Sequence, residues 1–527
     1  MAAFDEQDYT KSFDIKIWKR LFPFLRTYRL DFVGMLIFNG VCALVDVVLP
    51  LFQRHAIKNF IQAGTLEGLW PYALAYFGVI VLQCLSVVAF ARNSMRIEML
   101  MGRDMRDKLF HHLQTLSFSF YNVTPVGYLL ARVMSDTNRI AGMIAWNFTD
   151  ILWALFYVGG SFVSMLLLNW KLALVVIVIV PVMALLTVYF QNRILHWNRK
   201  VRKLNSRITG AFNEGITGAK TTKTLVREEL NIQEFNTVSA DMKKASVRAA
   251  TLSALFLPIV VSIGSIGTAY ALWQGGHAIV TGVEVMGAVM TIGTLQVFVN
   301  YTVSFFQPVR DIARIFAELQ SSQAAAERVV SLLETEPDIV DSPEVEAVFG
   351  DNFHPKKENW PKLIGDIDFE DVTFRYKDGE KVLEHFNLHV DHGQTIALVG
   401  ETGSGKSTIV NLICRFYEPT EGRILIDGAD YRTRSQLWLQ SNLGYVLQSP
   451  HLFSGTVADN IRYGRPDATD EEVRAAARMV GAEDFILKMA DGYETLVGEG
   501  GNRLSTGQKQ LISFARAILT NPSIFVL

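Results

Sequence analysis

Cysteine is almost missing from this chain. Cys42, Cys84 and Cys414 are the only three, they lie far apart, and no C-x-x-C pair occurs. That excludes a disulfide framework and a cysteine-based zinc site, and leaves free thiols in apolar surroundings as the expectation. The ten histidines show no metal-ligand spacing either. Charge is also scarce. Asp, Glu, Lys and Arg make up 19% of the residues and nearly cancel, to a net −2, so no basic surface for nucleic acid is expected. The opening stretch "MAAFDEQDYTKSFDIKIWKRLFPFLRTYR" lacks a short basic start, an apolar core and a small-residue cleavage site, so it does not read as a signal peptide. From about residue 340 onward, long apolar runs are lacking too.

What is present is a strongly apolar first half. The chain is 50% hydrophobic and too long, at 527 residues, for one domain. Six stretches long enough to cross a bilayer lie near 32–52, 70–91, 144–168, 172–190, 252–273 and 281–303. Short connections join them in pairs, and two long basic segments separate the pairs. Arg193, Arg199, Lys200, Arg202, Lys203 and Arg207 stand close to one membrane end, whereas "HAIVTGVE" between the last two stretches has no Lys or Arg. The excess of positive charge places the N-terminus, both long segments and the second half in the cytoplasm, with Arg54 and Lys58 in the first outer loop against the trend. The long segments contain few helix breakers near the membrane and one interruption each, at "YNVTPVG" and "FNEGITGAK". Each is expected to be a helix out, a turn and a helix back, and an arm of about 25 residues reaches roughly 35–40 Å.

The second half carries a nucleotide motif. "TIALVGETGSGKSTIVNLI" fits GxxxxGK[ST], with Gly400, Gly405, Lys406 and Ser407 in the fixed places. Residues 395–399 read as a buried strand and those after Ser407 as a helix, the context that a phosphate-binding loop needs. In such a loop Gly400, Glu401, Thr402, Gly403, Ser404 and Gly405 curl backbone N–H groups around phosphates. Lys406 reaches the outer phosphates, the Ser407 hydroxyl ligates Mg²⁺, and Thr408 continues the helix whose N-terminus adds its dipole. The terminal "NPSIFVL" reads as another buried strand.

Further motifs narrow the reading. "LSTGQKQLISFARAIL" resembles the LSGGQ signature of ABC ATPases, "YVLQSPHLF" their Q-loop with Gln448 in the key place, and "FRYKDG" their A-loop with Tyr376 placed to stack on adenine. "GYETLVGEGG" resembles the x-loop of ABC exporters, with Glu499 in its acidic position, and "FYNVTPVGYLLARVMSDTNRI" is similar to the first cytoplasmic arm of that family, which carries a coupling helix. The resemblance runs from about residue 14 to the end. It implies a half-transporter of the exporter type. Residues 1–31 would form a cytoplasmic segment with an elbow helix, and 32–322 an all-α, six-helix membrane domain with long arms. Residues 323–367 would be a linker, and 368–527 an α/β nucleotide-binding domain.

The same resemblance implies ATP and Mg²⁺ as cofactors, with Gln448 as a catalytic and Mg²⁺-binding position. Ser505, Gly507 and Gln508 of the signature would cap ATP held by a second half-transporter. In the family, the strand like "SIFVL" leads into an Asp and a Glu that support Mg²⁺ and polarise water, and a switch histidine follows. None stands in these residues, so the expectation is ATP binding without efficient hydrolysis by the chain as given. Expected partners are a second half-transporter, the bilayer, and a small-molecule, lipid or peptide substrate moved outward. A regulatory or gating subunit that binds ATP without pumping is the alternative.

Thr506 departs from the signature, where the family has glycine. A β-branched residue disfavours positive φ, so Thr506 is either a tolerated variant or a mark of the weakened site of an asymmetric pair. Asp46 lies within the first apolar stretch and Asp150 near the inner end of the third. An intramembrane carboxylate either serves a substrate or bonds between helices. Trp146, Trp153, Tyr301, Phe305 and Phe306 either line a cavity or pack. Asn122, Asn147 and Asn300 each begin an N-x-T triplet that the topology makes a chance match.

Overall fold

The computed structural model describes residues 14–281, 290–376 and 379–527. It forms two compact units. The first holds the described residues up to 111 together with 127–334, and the second holds 112–126 and 335–527. In chain order the helices are α1 (Ile15–Arg26), α2 (Arg29–Ala56), α3 (Leu69–Thr115), α4 (Phe118–Val123), α5 (Val126–Leu130), α6 (Thr137–Gly142), α7 (Phe148–Thr217), α8 (Ala219–Thr224), α9 (Glu228–Thr281), α10 (Ile292–Ser304), α11 (Phe306–Leu333) and α12 (Pro343–Phe349). Then come α13 (Lys406–Ile413), α14 (Gln436–Ser441), α15 (Val457–Arg462), α16 (Asp470–Met479), α17 (Glu483–Leu487) and α18 (Thr506–Leu519).

Among the described residues, the first unit consists of helices and short connections, with no strand. Asp14 caps α1 by accepting from the Lys16 N–H at 2.8 Å. α1 buries Leu21 and Leu25, and its Trp18 indole donates to Gln323 of α11 at 2.7 Å. Four segments are long and apolar enough to cross a membrane: Arg29–Gln62, Leu69–Thr115, Val126–Trp170 and Glu228–Thr281. The expected stretch near 172–190 continues α7 beyond a break, and of the one near 281–303 residues 282–289 lie outside the described residues, while the rest includes most of α10. The break is at Asn169 (φ −160°, ψ 100°), whose side-chain oxygen accepts from the Leu172 N–H at 3.1 Å. Asn169 therefore restarts the helix as an N-cap, between the third and fourth expected stretches. α3 has 47 residues, or about 70 Å, far more than the roughly 30 Å of hydrocarbon, so it continues past the membrane as an arm. The two expected interruptions lie at Thr124–Pro125 and at Gly218 and residues 225–227.

Polar groups inside this unit are used between helices. Asp46 accepts from Gln83 at 3.1 Å and from the Trp153 indole at 2.9 Å, Tyr301 donates to the Val47 carbonyl at 2.6 Å, and Trp146 donates to Glu98 at 2.8 Å. Asp150 faces Arg314 at 3.4 Å, and Phe305 packs on Phe162 with centroids 4.9 Å apart. The Phe306 side chain lies outside the described residues. Buried Asp136 takes two bonds from Arg328, at 2.9 and 2.8 Å, and one from Arg132 at 3.0 Å, which ties α11 to the π-helical turn Ala131–Asp136.

The second unit has two cores. One lies under an antiparallel sheet of order β2-β1-β3-β4, where β1 is Ile367–Arg375, β2 Lys381–Val390, β3 Glu421–Ile426 and β4 Ala429–Asp430. Its buried residues include Ile367, Phe369, Val372, Phe374, Leu412, Ile424 and Trp438. The inward positions of β1 change parity between Phe369 and Val372 because Asp371 takes a left-handed turn (φ 50°) in a bulge, which Asn387 clips by accepting from the Asp371 N–H at 2.8 Å. The second core is helical, formed by α15–α18 around Ile461, Val473, Ala477, Ile512 and Ala515. A separate parallel pair joins β5 (Leu443–Tyr445) to β6 (Ile524–Val526), the expected terminal strand, of which only Ile524 is fully buried.

Two expectations change here. Residues 395–399 are not a buried strand: no described strand pairs with them, only Leu398 is partly buried against the sheet core, and Val399 is 91% exposed. The expected linker 323–367 is not a free tether. Its first part continues α11, and its later part is fastened to the sheet core, where the buried Arg415 guanidinium donates to Asp341 at 2.8 Å and the Gln436 N–H donates to the same carboxylate at 2.9 Å. All three cysteines are free thiols: Cys42 and Cys414 are buried, and Cys84 is exposed on α3, within a segment apolar enough to cross a membrane. Burial pushes the Cys414 thiol up to about 12.

Removing one partner of a buried ion pair strands the other charge, so Asp341→Ala is expected to cost about 3 kcal/mol in thermal unfolding of the purified transporter. His389 faces its cross-strand neighbour Asp368 and also Asp391 (3.1 Å), and these carboxylates hold its pKa above the ordinary histidine value. A raised value in the folded state means the imidazolium stabilises the β1–β2 pair below about pH 6.5 and that this contribution fades as pH rises through the raised value. Histidine-specific hydrogen–deuterium exchange should find His389 titrating above ordinary histidine, and lower in Asp368→Asn.

Candidate functional site

The phosphate-binding motif forms the tight turn its glycines require. Gly403 and Gly405 adopt left-handed backbone (φ 91° and 89°), which glycine enters without strain, and Gly405 caps α13. Space is limited as well. A methyl group on Gly400 would lie 2.7 Å from the Ser404 hydroxyl, and one on Gly405 3.2 Å from Leu383. The Lys406 ammonium folds back into the loop, donating to the carbonyls of Gly400 at 2.8 Å and Glu401 at 2.6 Å and approaching Ser404 Oγ at 3.3 Å. Glu401, Thr402 and Ser407 are exposed at the mouth, whereas Thr408 is buried in the first turn of α13.

Tyr376 stands beside this helix. Its hydroxyl is 3.0 Å from Thr408 Oγ1, and its ring meets Phe374 and Tyr417 edge-to-face, with centroids 4.9 and 5.1 Å apart. Gln448 is exposed in the loop after β5, and its carbonyl accepts from the Gln510 side chain of α18 at 3.4 Å. The residues that follow are anchored more firmly. Buried Asn460 bonds both the N–H and the carbonyl of Phe453 at 2.9 Å, and Arg516 donates to the carbonyls of Asn460 at 2.8 Å and His451 at 3.2 Å. Burial lowers the Arg516 pKa from its usual value, and the guanidinium lies 5.5 Å from the ring centres of both Phe453 and Tyr463.

The signature segment is a helix start. Ser505 caps α18 by accepting from the Gln508 N–H at 3.3 Å, while the Gln508 side chain accepts from the Ser505 N–H at 2.9 Å. This is a capping box, so the Gln508 side chain is already committed to the turn. Nothing lies within 4 Å of where a Gly507 side chain would be, so that face is open. Thr506 is the first residue of the helix and is not among the positive-φ residues, so the argument for a strained, weakened signature does not apply to it. Glu499 is exposed in the short turn Glu499–Gly501, which Lys509 braces through the Gly500 carbonyl at 3.0 Å. The structure thus brings Tyr376 to the phosphate loop and Gln448 to α18. Among the described residues, no hydrogen bond joins the loop 400–408 to Ser505–Gln508. Tyr417, Asn460 and Arg516 escaped sequence reasoning, and none of them had a signal in the motif spacing.

Comparison with known proteins agrees with this geometry. The family model described as "ABC transporter transmembrane region" matches residues 32–309, more than half of the chain, and the one described as "ABC transporter" matches 383–527. The chain belongs to the ABC transporter family. Relatives of this ABC transporter include the uncharacterized ABC transporter ATP-binding protein YknV of Bacillus subtilis (strain 168), 33% identical over 97% of this chain and 82% of that protein. An ATP-dependent lipid A-core flippase of Desulfotalea psychrophila (strain LSv54 / DSM 12343) is 31% identical over 97% and 86%. The putative multidrug export ATP-binding/permease protein YgaD of B. subtilis is 30% identical over 97% and 86%. The transporter is of the exporter half-transporter type, a multi-pass cell-membrane protein with its membrane region and cytoplasmic ATP-binding domain on one chain, built for ATP-driven export.

Because Thr506 is in helical backbone, Thr506→Gly should not tighten ATP binding. It should instead lower thermal stability by about 0.5 kcal/mol, the difference in helix cost between glycine and threonine, as read by unfolding of the two proteins side by side.

Proposed function

We propose that this chain binds Mg²⁺-ATP at the loop 400–408, pairs with a second half-transporter, and uses the ATP cycle to move a hydrophobic or amphipathic solute outward. One observation carries the reading. Lys406 lies folded on the Gly400 and Glu401 carbonyls, inside a glycine-built cradle next to a fixed aromatic ring. An ammonium in that position can exchange two neutral carbonyl acceptors for phosphate oxygens, a stronger charge-assisted bond. The donor set fits a triphosphate: open backbone N–H groups at the start of α13, one cation and one hydroxyl. It also fits Mg²⁺, which takes hard oxygen ligands. Ser407 Oγ and the Gln448 side-chain oxygen would hold it, and among the described residues no group of three His, Cys, Asp or Glu offers an alternative. When bound, Mg²⁺ supplies charge neutralisation on the outer phosphates.

The chain's own residues then have separate tasks. Lys406 and the α13 N–H groups hold phosphate, Tyr376 stacks on the base, and Gln448 lies in the loop tied to α18. The open Ser505–Gly507 turn serves nucleotide held by the partner chain, and Gln508 acts on it only by shaping the turn. The lack of a hydrogen bond between loop and signature within one chain supports this pairing across two chains. The relatives named as a putative multidrug exporter and a lipid A-core flippase favour an amphipathic cargo.

Lys406→Ala should weaken ATP binding by at least about tenfold, since it deletes a charge-assisted contact. Titration of the full transporter with a fluorescent ATP analogue measures this. Unchanged affinity would remove the loop from the nucleotide site.

A further inference from the structure

The helix that starts at Lys406 ends in an unusual turn. Phe416 N–H donates to the Asn411 carbonyl at 2.9 Å and Arg415 N–H to the Leu412 carbonyl at 3.1 Å, the paired bonds of a Schellman cap. Such a cap wants glycine at the left-handed position, yet here it is Arg415, at φ 52°. The strain is held by buried bonds from its guanidinium to Asp341 at 2.8 Å, Glu418 at 2.8 Å and the Arg434 carbonyl at 2.9 Å. A strained backbone that is over-determined in this way suggests that the direction of the next residues matters.

Those residues are Phe416 and Tyr417. Phe416 stacks on Phe118 of α4 with centroids 4.8 Å apart and meets Tyr445 of β5 edge-on at 5.6 Å. The Tyr417 hydroxyl accepts from the Asn122 side chain of α4 at 2.9 Å, and its ring meets Tyr376 edge-on at 5.1 Å. Tyr376 in turn shares its hydroxyl with Thr408. One side chain therefore separates α4, the arm-tip helix, from the aromatic ring beside the phosphate loop.

We propose that Tyr417 is a positioning residue for the adenine pocket: it fixes the Tyr376 ring and makes that ring's placement depend on the hydrogen bond from Asn122 in α4. This rests on the reading of Tyr376 as the base-stacking residue. The chemistry follows from the geometry. Tyr376 has rings on two edges, Phe374 and Tyr417, and only Tyr417 is tied to another element through its hydroxyl. If α4 moves, the Tyr417 ring tilts and the Tyr376 face is no longer presented. By reciprocity, base binding favours the α4 position that keeps the face presented.

The test uses the full transporter in lipid nanodiscs and two probes, Mg²⁺-ATP and Mg²⁺-tripolyphosphate, which has the phosphates without a base. Tyr376→Ala first checks the pocket and should weaken ATP while leaving tripolyphosphate unchanged. Tyr417→Leu should weaken ATP about fivefold, the worth of one aromatic edge contact, with tripolyphosphate unchanged. Asn122→Ala, at an exposed site, and Tyr417→Phe should each weaken ATP by about threefold, and the double variant should be no worse than either one, because both remove one bond. If Tyr417→Leu weakens both probes equally or neither, or if the Asn122 and Tyr417 effects simply add, the proposal fails. If Tyr376→Ala leaves ATP unchanged, the adenine reading fails first and takes the proposal with it. Should Tyr417→Leu not fold, the Asn122→Ala and Tyr417→Phe cycle decides alone.

Discussion

The second unit depends on one buried guanidinium. Arg415 is 2% exposed and carries bonds to two carboxylates and one carbonyl, three of its five donors. Asp341 belongs to the segment leaving α11, Glu418 follows the P-loop helix, and Arg434 precedes α14. A single cation therefore joins the incoming chain, the end of the nucleotide helix and the sheet core. Lysine would not replace it, because a compact ammonium cannot present a planar fork to three acceptors at once.

The first unit follows a different constraint. In hydrocarbon no water satisfies a backbone group, so every interruption of a helix must be answered locally. Pro50 withdraws the donor that the Asp46 carbonyl would have had, and the surrounding helices supply bonds at the same level, from Gln83 and Trp153 to the Asp46 carboxylate and from Tyr301 to Val47. At Asn169 the side chain itself answers the break. The carboxylate of Asp46 is therefore best understood as a joint among three helices.

Much of this was readable beforehand, for physical reasons that differ by element. The phosphate loop is local, and its glycine spacing dictates the left-handed turns at Gly403 and Gly405. The arms announce themselves by apolar runs that continue into basic helices without breakers. The strand expected at 395–399 failed because a strand exists only with a neighbour, and pairing is not written in the segment itself. Of the two readings of Thr506, the weakened-site one loses its premise of strain, because the position opens a helix and has no positive φ. Tyr417 was invisible because its contacts with Tyr376 and Asn122 join residues far apart in the chain, and Arg415 because its bond to Asp341 does the same, with no spacing rule to find them.

The two cores of the second unit have a consequence for how it comes apart. The sheet core and the α15–α18 core share no buried residue, and the loop between them is fastened mainly by Asn460 and Arg516. Such a body opens in parts. Its helical portion is then expected to loosen as a cooperative block while the strands stay protected.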